Sequence, residues 1–349
     1  VLKRLFQRKP DKNLSCEIIN SGFSFDLEHK VTILQSALNA GVSLPHNCQV
    51  GSCKECSCKL VDGDIKSHVE LGYLFNKEEI EAGYFLPCQS VAKSNVVIEP
   101  LKALATKESL VVAIITSVKR LTHSISRLEV KSEQPLEPAP GQYCHVHIPA
   151  IGQYRSYSFS KQNDENNTYC FDITHHEGGQ VSSWLLDENH VGETIQLSHP
   201  LGDFSLKEAS GPILCIAGGS GQGAVLNVIK HCLEEIATRP VYFLYSAKSE
   251  TGLYAQDELD AIAKEIELTY TPFLTEQSSW TGKTGRIPAQ LKGELNSISE
   301  GSNGSVDYSQ WSVLLCGAPG LINDSLHVLE ELGFVQSLIS FDKFDISGG

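Results

Sequence analysis

The chain contains no methionine and only three tryptophans in 349 residues. A chain this long without methionine is improbable. Methionines are expected to have been left out of the sequence as written, so spacings outside the motifs are open to a shift of one residue. Long apolar runs are missing as well. None approaches about 18 residues, the length that reads as a membrane-spanning helix, so no span is expected. No secretory signal is expected either. Positive charge is scarce, with 28 Lys and Arg against 42 Asp and Glu and a formal net charge of −14. That balance argues against nucleic acid as a partner and favours docking against a basic face of another protein. A disulfide-like cysteine framework is absent too. There are eleven cysteines, an odd number, mostly scattered singly, which suits a reducing compartment such as the cytoplasm better than a disulfide framework. No internal repeat is visible.

The length suits two or three domains. From Cys16 the pattern is β-like: C-E-I-I-N, then F-S-F-D-L, with Gly22 in a hairpin turn. V-T-I-L-Q-S-A-L-N-A-G has helical periodicity and ends on a glycine. K-L-V-D-G-D-I and S-N-V-V-I-E-P follow as further strands, and the segment from Leu101 reads as a linker. From about 110 to 207, six short strand signals are separated by Pro-, Gly- and Asn-rich turns: an antiparallel barrel is expected. From 211 onward strands alternate with helices, the pattern of a doubly wound parallel sheet. The expected modules are 13–102, 108–208 and 211–345, a multidomain α+β and α/β chain. Residues 1–10 are basic and apolar, a frayed tail or a short amphipathic contact with a membrane or partner.

Four cysteines carry the sharpest signal. Cys48, Cys53 and Cys56 stand in C-x4-C-x2-C spacing, with Cys88 in a later L-P-C-Q-S. That is the spacing of a plant-type [2Fe–2S] cluster, in which soft thiolates hold the irons. Gly51 and Ser52 let the loop wrap closely. The bland alternative is a zinc site or unrelated buried thiols. Cys58 breaks the spacing and is read as a spectator.

Arg155-Ser156-Tyr157-Ser158 has the form R-x-Y-S. On a strand, Arg155 and Tyr157 share one face and the two serines the other. Arg suits a pyrophosphate, Tyr a flat isoalloxazine, and Ser the reactive N5 edge. Gly178-Gly179-Gln180-Val181-Ser182 precedes a helix, so backbone N–H groups and Ser182 are available to phosphate. Together the strings read as a flavin-diphosphate cradle. Gly218-Gly219-Ser220-Gly221-Gln222-Gly223-Ala224 follows a strand and opens a helix, and Gly219, Gly221 and Ala224 fit the dinucleotide fingerprint. Cys316-Gly317-Ala318-Pro319 ends another strand. Cys316 is a candidate neighbour of the reacting nicotinamide, or simply a small buried residue. Tyr245-Ser246-Ala247-Lys248 ends the strand between and is a candidate contact for the adenosine ribose.

In this order, the cluster loop, R-x-Y-S, G-G-x-x-S, G-G-S-G and C-G-A-P resemble the reductase components of bacterial aromatic oxygenases. Those are ferredoxin–NAD(P)H reductase-type proteins with an N-terminal plant-type ferredoxin domain. The likeness runs from about Cys16 to Phe344 and is strongest to the xylene monooxygenase electron-transfer type, through T-I-L-Q-S-A-L-N-A-G, L-P-H-N-C-Q-V-G-S-C, S-S-W-T-G-K-T-G and F-D-K-F. It implies a β-grasp ferredoxin domain, a flavin barrel and a nicotinamide domain. It implies FAD on Arg155, Tyr157, Ser158, Gly179 and Ser182, and NADH on Gly218, Gly219, Ser220, Gly221, Cys316, Gly317 and Pro319. The C-terminal acid-x-Phe, Asp342-Lys343-Phe344, is implied to lie by the flavin ring. Ser158, Cys316 and Phe344 are thereby the catalytic candidates.

The resemblance also implies a partner: an oxygenase or hydroxylase component, membrane-bound and di-iron if the xylene likeness extends that far, or its ferredoxin. Location is then cytoplasmic, with the basic start as a candidate contact at the inner membrane. Two departures stand out: Gly223-Ala224 where the family has Ala-Pro, and Lys54 where it often has Gly. Reductases of deoxysugar synthesis and redox-sensing binding modules share such modules and remain alternatives. His145 and His147 share a strand face and are read as barrel or surface residues rather than metal ligands. His175 and His176 are read as adjacent strand residues on opposite faces, and Asp257 and Glu258 as a solvated helix face.

Overall fold

A computed structural model describes residues 14–42, 44–46, 51, 54–102, 110–277, 279–299 and 307–344. The chain divides into two compact units, Val1–Glu108 and Ser109–Gly349.

The first unit is built on a five-stranded mixed sheet. Its strands are β1 (Leu14–Ile18), β2 (Phe23–Leu27), β3 (Cys58–Asp62), β5 (Tyr84–Phe85) and β7 (Val96–Pro100), in the order β2-β1-β7-β3-β5. A small ribbon joins β4 (Ile65–Ser67) to β6 (Ser90–Ala92). Alternation sets the faces: Cys16, Ile18, Phe25 and Leu27 are buried while Glu17 and Asp26 are not. Helix α1 (Ile33–Asn39) starts where Thr32 Oγ1 accepts from the Gln35 N–H at 3.2 Å. It buries Ile33, Leu34 and Ala37, and Gly41, at φ +75°, follows its end. Helix α2 (Lys77–Glu81) opens on a reciprocal capping box between Asn76 and Glu79.

In the second unit, six antiparallel strands close into a barrel: β8 (Val111–Arg120), β9 (Ile125–Ser132), β10 (Tyr143–Ile148), β11 (Gln153–Asn163), β12 (Thr168–Thr174) and β13 (Thr194–Leu197). These are the six strands expected from alternation. Leu128, Val130, Val146, Phe159, Tyr169, Phe171 and Ile173 fill the interior. The intervening residues of β12, Cys170, Asp172 and Thr174, therefore point outward. Helix α3 (Gln180–Leu185) follows β12.

The rest of this unit is a six-stranded all-parallel sheet. Its strands β14 (Ile213–Gly218), β15 (Val241–Ala247), β16 (Leu268–Leu274), β17 (Lys283–Thr284), β18 (Ser312–Gly317) and β19 (Ile339–Lys343) run in the order β17-β16-β15-β14-β18-β19. One face packs on α4 (Gly221–His231), α5 (Leu233–Ile236) and α6 (Gln256–Ile262), the other on α7 (Ile287–Ser299) and α8 (Pro319–Glu331). The doubly wound expectation holds. β14, buried up to Gly218, and β18, buried throughout, read as nearly continuous apolar runs because both faces are covered.

Three readings need correction. His175 and His176 lie just past β12, which ends at Thr174, so strand alternation does not separate them. His175 Nε2 meets an Arg120 guanidinium nitrogen at 2.9 Å and Ser126 Oγ at 3.0 Å. Within the strand end Tyr245–Lys248 read against the adenosine ribose, Tyr245 itself is fully buried and its hydroxyl donates to the Gly219 carbonyl at 3.2 Å, so it props the glycine loop and leaves that role to the residues after it. Glu258 is no solvated residue: it pairs with Arg127 at 2.8 Å and with Lys230. His145 and His147 do share one face, ring centroids 6.1 Å apart, and pack on Tyr154. Among the described residues, no group of three or more His, Cys, Asp or Glu is placed to hold a metal ion.

Candidate functional site

In the first unit, Cys56 and Cys88 are both buried. Cys48 and Cys53 lie outside the described residues. Gly51 sits at φ +77°, and a Cβ there would meet Gln89 Cγ at 2.8 Å. Gly51 thus lies close against Gln89, the residue after Cys88, in a backbone conformation that favours glycine. The thiolate donor set and this closeness suit a [2Fe–2S] cluster. Cys58 stands apart as a core thiol; burial, then Cys56 and Cys16, pushes its pKa up and keeps it protonated. Lys54 adopts φ +56° and lays its ammonium 5.1 Å from the Phe75 ring centroid.

In the second unit, Arg155, Ser156, Tyr157 and Ser158 occupy one stretch of β11. Burial pushes the Tyr157 phenol up, against a smaller opposing pull from Arg155. The flavin-cradle glycines precede α3: Gly178 has φ +75°, and a Cβ on Gly179 would lie 2.8 Å from Ser182 Oγ. Val181 and Ser182 are buried in the first turn. A loop this tight presents its amides closely enough to suit a diphosphate.

The nicotinamide motifs are mutually fitted. A Cβ on Gly221 would meet the Cys316 carbonyl oxygen at 2.6 Å. Gly317, at φ +146°, brings its Cα within reach of the Gly218 backbone, where a Cβ would lie 3.2 Å from nitrogen and oxygen. Ala217 and Cys316 are partners in the parallel ladder, and Pro319 opens α8 beyond them. The Gly loop and C-G-A-P therefore form one surface at the carboxyl edge of the sheet, where such folds bind dinucleotides.

Ser158 and Cys316 come together on Asp342, with Phe344 bonded to the neighbouring Gly317. Ser158 Oγ donates to Asp342 Oδ2 at 2.8 Å, across 184 positions of chain. Asp342 is the ladder partner of Cys316. The Phe344 N–H donates to the Gly317 carbonyl at 2.8 Å. Cys316 is fully buried; burial and then Asp342 raise its pKa well above the usual thiol value, so it is a neutral thiol and not a nucleophile.

Sequence reasoning missed Arg127, Asp172 and Thr174. Asp172 accepts from Arg127 Nε at 2.6 Å and from a terminal guanidinium nitrogen at 3.0 Å, and from Ser160 Oγ at 2.9 Å. Thr174 Oγ1 donates to Ser220 Oγ at 3.0 Å. The only signal in the sequence was polar residues at alternate positions of F-D-I-T, which any solvent-facing strand shows.

Three family models match in succession. They are a 2Fe-2S iron-sulfur cluster binding domain over 16–93, an oxidoreductase FAD-binding domain over 112–206 and an oxidoreductase NAD-binding domain over 215–327. The fold and site thus define an iron–sulfur flavoprotein oxidoreductase using a [2Fe–2S] cluster, FAD and a nicotinamide nucleotide. The xylene/toluene monooxygenase electron transfer component of Pseudomonas putida is 30% identical over 97% of this chain and 95% of its own. The reductase component of the naphthalene 1,2-dioxygenase system of Pseudomonas putida is 28% identical over 89% of this chain and 93% of its own. The ferredoxin reductase of carbazole 1,9a-dioxygenase superposes with a TM-score of 0.65 at 23% identity, covering 96% of this chain and 99% of that one. The chain belongs to the family of reductase, or electron-transfer, components of oxygenases. No helix among the described residues is long and apolar enough to cross a membrane.

Proposed function

We propose that the chain is the NADH-dependent reductase of a hydroxylase acting on an aromatic or alkyl substrate, with modules at 13–102, 108–208 and 211–345. Relatives named for xylene/toluene, naphthalene and propane oxygenases support that breadth. When bound, FAD accepts hydride from NADH and releases electrons singly, through the cluster, to the partner. The observation that carries the reading is the meeting of Ser158 and Cys316 at Asp342, with Phe344 held on Gly317 beside them.

The chain's own residues do the positioning. Gly178, Gly179, Val181 and Ser182 hold the flavin diphosphate with Arg155; Ser156, Tyr157 and Ser158 line the ring's edge. Gly218, Gly219, Ser220 and Gly221 hold the nicotinamide diphosphate at the start of α4, with Gly317 and Pro319 beside it. Asp342 holds the Ser158 hydroxyl proton, fixing that oxygen's orientation. Cys316 supplies a small neutral wall, and Phe344 an apolar one that excludes water. Cys48, Cys53, Cys56 and Cys88 hold the cluster.

NADH over NADPH is the preference that the family likeness supports. Lys248 pairs with Glu276 at 3.1 Å, both side chains well exposed, so the pair is weak and the cation keeps NADPH possible. Lys248→Glu is therefore expected to leave use of NADH within about threefold. A loss beyond tenfold in steady-state kcat/KM would give Lys248 a direct role.

For the partner, the xylene/toluene likeness favours a membrane-bound di-iron hydroxylase, with residues 1–10, outside the described residues, as the bilayer contact. Coupling to membranes undiminished by deleting 1–10 would remove that contact. The whole reading is tested by anaerobic NADH titration with visible absorption and low-temperature EPR. Flavin bleaching with a reduced [2Fe–2S] signal is expected. Bleaching without the signal would break the path at the cluster.

A further inference from the structure

Helix α4 meets the barrel along one stripe. Ser220 accepts from Thr174, Gly223 faces Asp172 and Ser160, and Asn227 Nδ2 donates to the Phe159 carbonyl at 3.0 Å. Lys230, one turn further, bonds Glu258 of α6. Spacings of three and four residues put all four on one helix face. The contacts fall on the outer faces of β11 and β12, the strands that carry Ser158 and Thr174. The helix that begins with the nicotinamide loop is therefore fastened to the wall that carries the flavin motif.

At the centre of that contact lies a row of alternating charge: Asp172, Arg127, Glu258, Lys230. Arg127 forks onto both oxygens of Asp172 and reaches Glu258 with its third nitrogen at 2.8 Å. The Asp172 side chain is only 1% exposed. Burial works against the Arg127 charge, and the hydrogen bonds and charges of Asp172 and Glu258 outweigh it, holding the guanidinium more firmly protonated. Ions this buried contribute little net stability, because desolvation offsets their attraction. A guanidinium fork does fix geometry, since its donors match carboxylates in only a few orientations.

Gly223 sharpens the point. A Cβ there would lie 2.5 Å from Asp172 Oδ2 and 2.8 Å from Ser160 Cβ. The approach of α4 to the barrel is thus closer than an alanine allows. This accounts for one departure from the family pattern, glycine where alanine is usual.

We propose that Arg127, Asp172 and Glu258 are positioning residues: a clamp that sets where the Gly218–Gly221 loop stands against the flavin wall. The inference rests on the reductase reading above, in which hydride passes between those two surfaces. Displacement of a reacting pair by about 1 Å costs on the order of a hundredfold in rate, so a clamp acts on the rate of transfer and not on affinity.

The test uses the holoprotein with full flavin content, in Asp172→Asn, Glu258→Gln and Arg127→Lys. Two quantities are measured. One is the limiting rate of flavin bleaching by NADH in anaerobic stopped flow, resolved from NADH Kd. The other is backbone amide exchange over residues 218–224 without nicotinamide. The limiting rate is expected to fall about 10–100-fold, with Kd held within about threefold and faster exchange at 218–224. Arg127→Lys should fall with the others, because an ammonium restores charge but not the fork. Unchanged limiting rates and exchange in flavin-replete Asp172→Asn and Glu258→Gln would overturn the clamp, as would full rescue by Arg127→Lys. If Asp172→Asn does not fold, Glu258→Gln, at a more exposed site, decides alone. A wild type that NADH does not bleach would defeat the reductase reading, and the exchange measurement would still decide the clamp.

Discussion

Two glycine-led helix starts in the second unit, both proposed to hold a diphosphate, are supported in opposite ways. The flavin-side start is local. Gly179 donates to His176 and receives Ser183, and Ser182 Oγ points back to the Gly179 carbonyl at 3.5 Å. The nicotinamide-side start is supported from afar. Thr174 holds Ser220 across 46 positions, Tyr245 props Gly219, Gln222 Nε2 donates to the Tyr254 carbonyl at 2.7 Å, and Gly221 rests on Cys316. A six-residue helix with neighbouring contacts can adapt. A loop fixed by four distant segments cannot move without them, which is the rigidity that placing a nicotinamide requires.

The comparison breaks most visibly at Gly221. A Cβ there meets backbone, not a movable side chain, at 2.6 Å. Gly221→Ala is expected to cost about 1–3 kcal/mol of stability by overpacking. It should also lower the limiting rate of flavin bleaching by about a hundredfold or more. Thermal unfolding and stopped flow measure the two. Wild-type rates in Gly221→Ala would mean the loop tolerates displacement and is no more constrained than its flavin counterpart.

A smaller effect is expected at Gly179, where the obstacle is Ser182 Oγ at 2.8 Å and backbone φ is already negative. Gly179→Ala should weaken FAD retention about tenfold, measured by flavin release on dilution. Ser182→Ala in the same chain should recover packing but not the lost hydroxyl, leaving a non-additive pair. Additive losses would show that the two residues do not share one site.

Much of this architecture was legible because its signals are local. Alternation of apolar residues marks the barrel strands, and glycine marks each tight turn. What escaped is instructive. β16 was not read because Pro272 interrupts T-Y-T-P-F-L, and proline argues against a central strand. Here Pro272 pairs with Tyr245 on one side, while β17 on the other reaches only Phe273 and Leu274. β19 was found only as a motif by resemblance, although it carries the carboxylate on which Ser158 and Cys316 meet. Glu258 looked solvated because an acidic helix face usually is. Its partner Arg127 lies 131 positions away, and nothing in either segment records the other. Packing of the parallel-sheet part of the second unit onto the outer face of β12 is a long-range event, and one-strand periodicity is silent about it.

The finest separation of the two starts is by pH. Beside the flavin loop, burial lowers His175, with Arg120 and then His176 acting in the same sense, and burial lowers His176. A histidine lowered in the folded state binds its proton more readily when unfolded. Its contribution is whole above the unfolded value near 6.5 and is lost as pH falls through the folded value. On the nicotinamide side, burial raises Glu258, and Lys230 and Arg127 more than reverse it, leaving its pKa lowered. Its contribution persists through that window and is lost only below the ordinary carboxylate range, near pH 4. Between about pH 7 and about pH 5.5 the melting temperature should therefore fall by about 2 °C, since both imidazoles are partly solvated and the effect is screened. His175→Gln should flatten that slope, and Glu258→Gln should leave it unaltered while removing a second decline near pH 4. A slope that follows Glu258 instead would place the acid-sensitive contact at the clamp and reverse the contrast between the two loops.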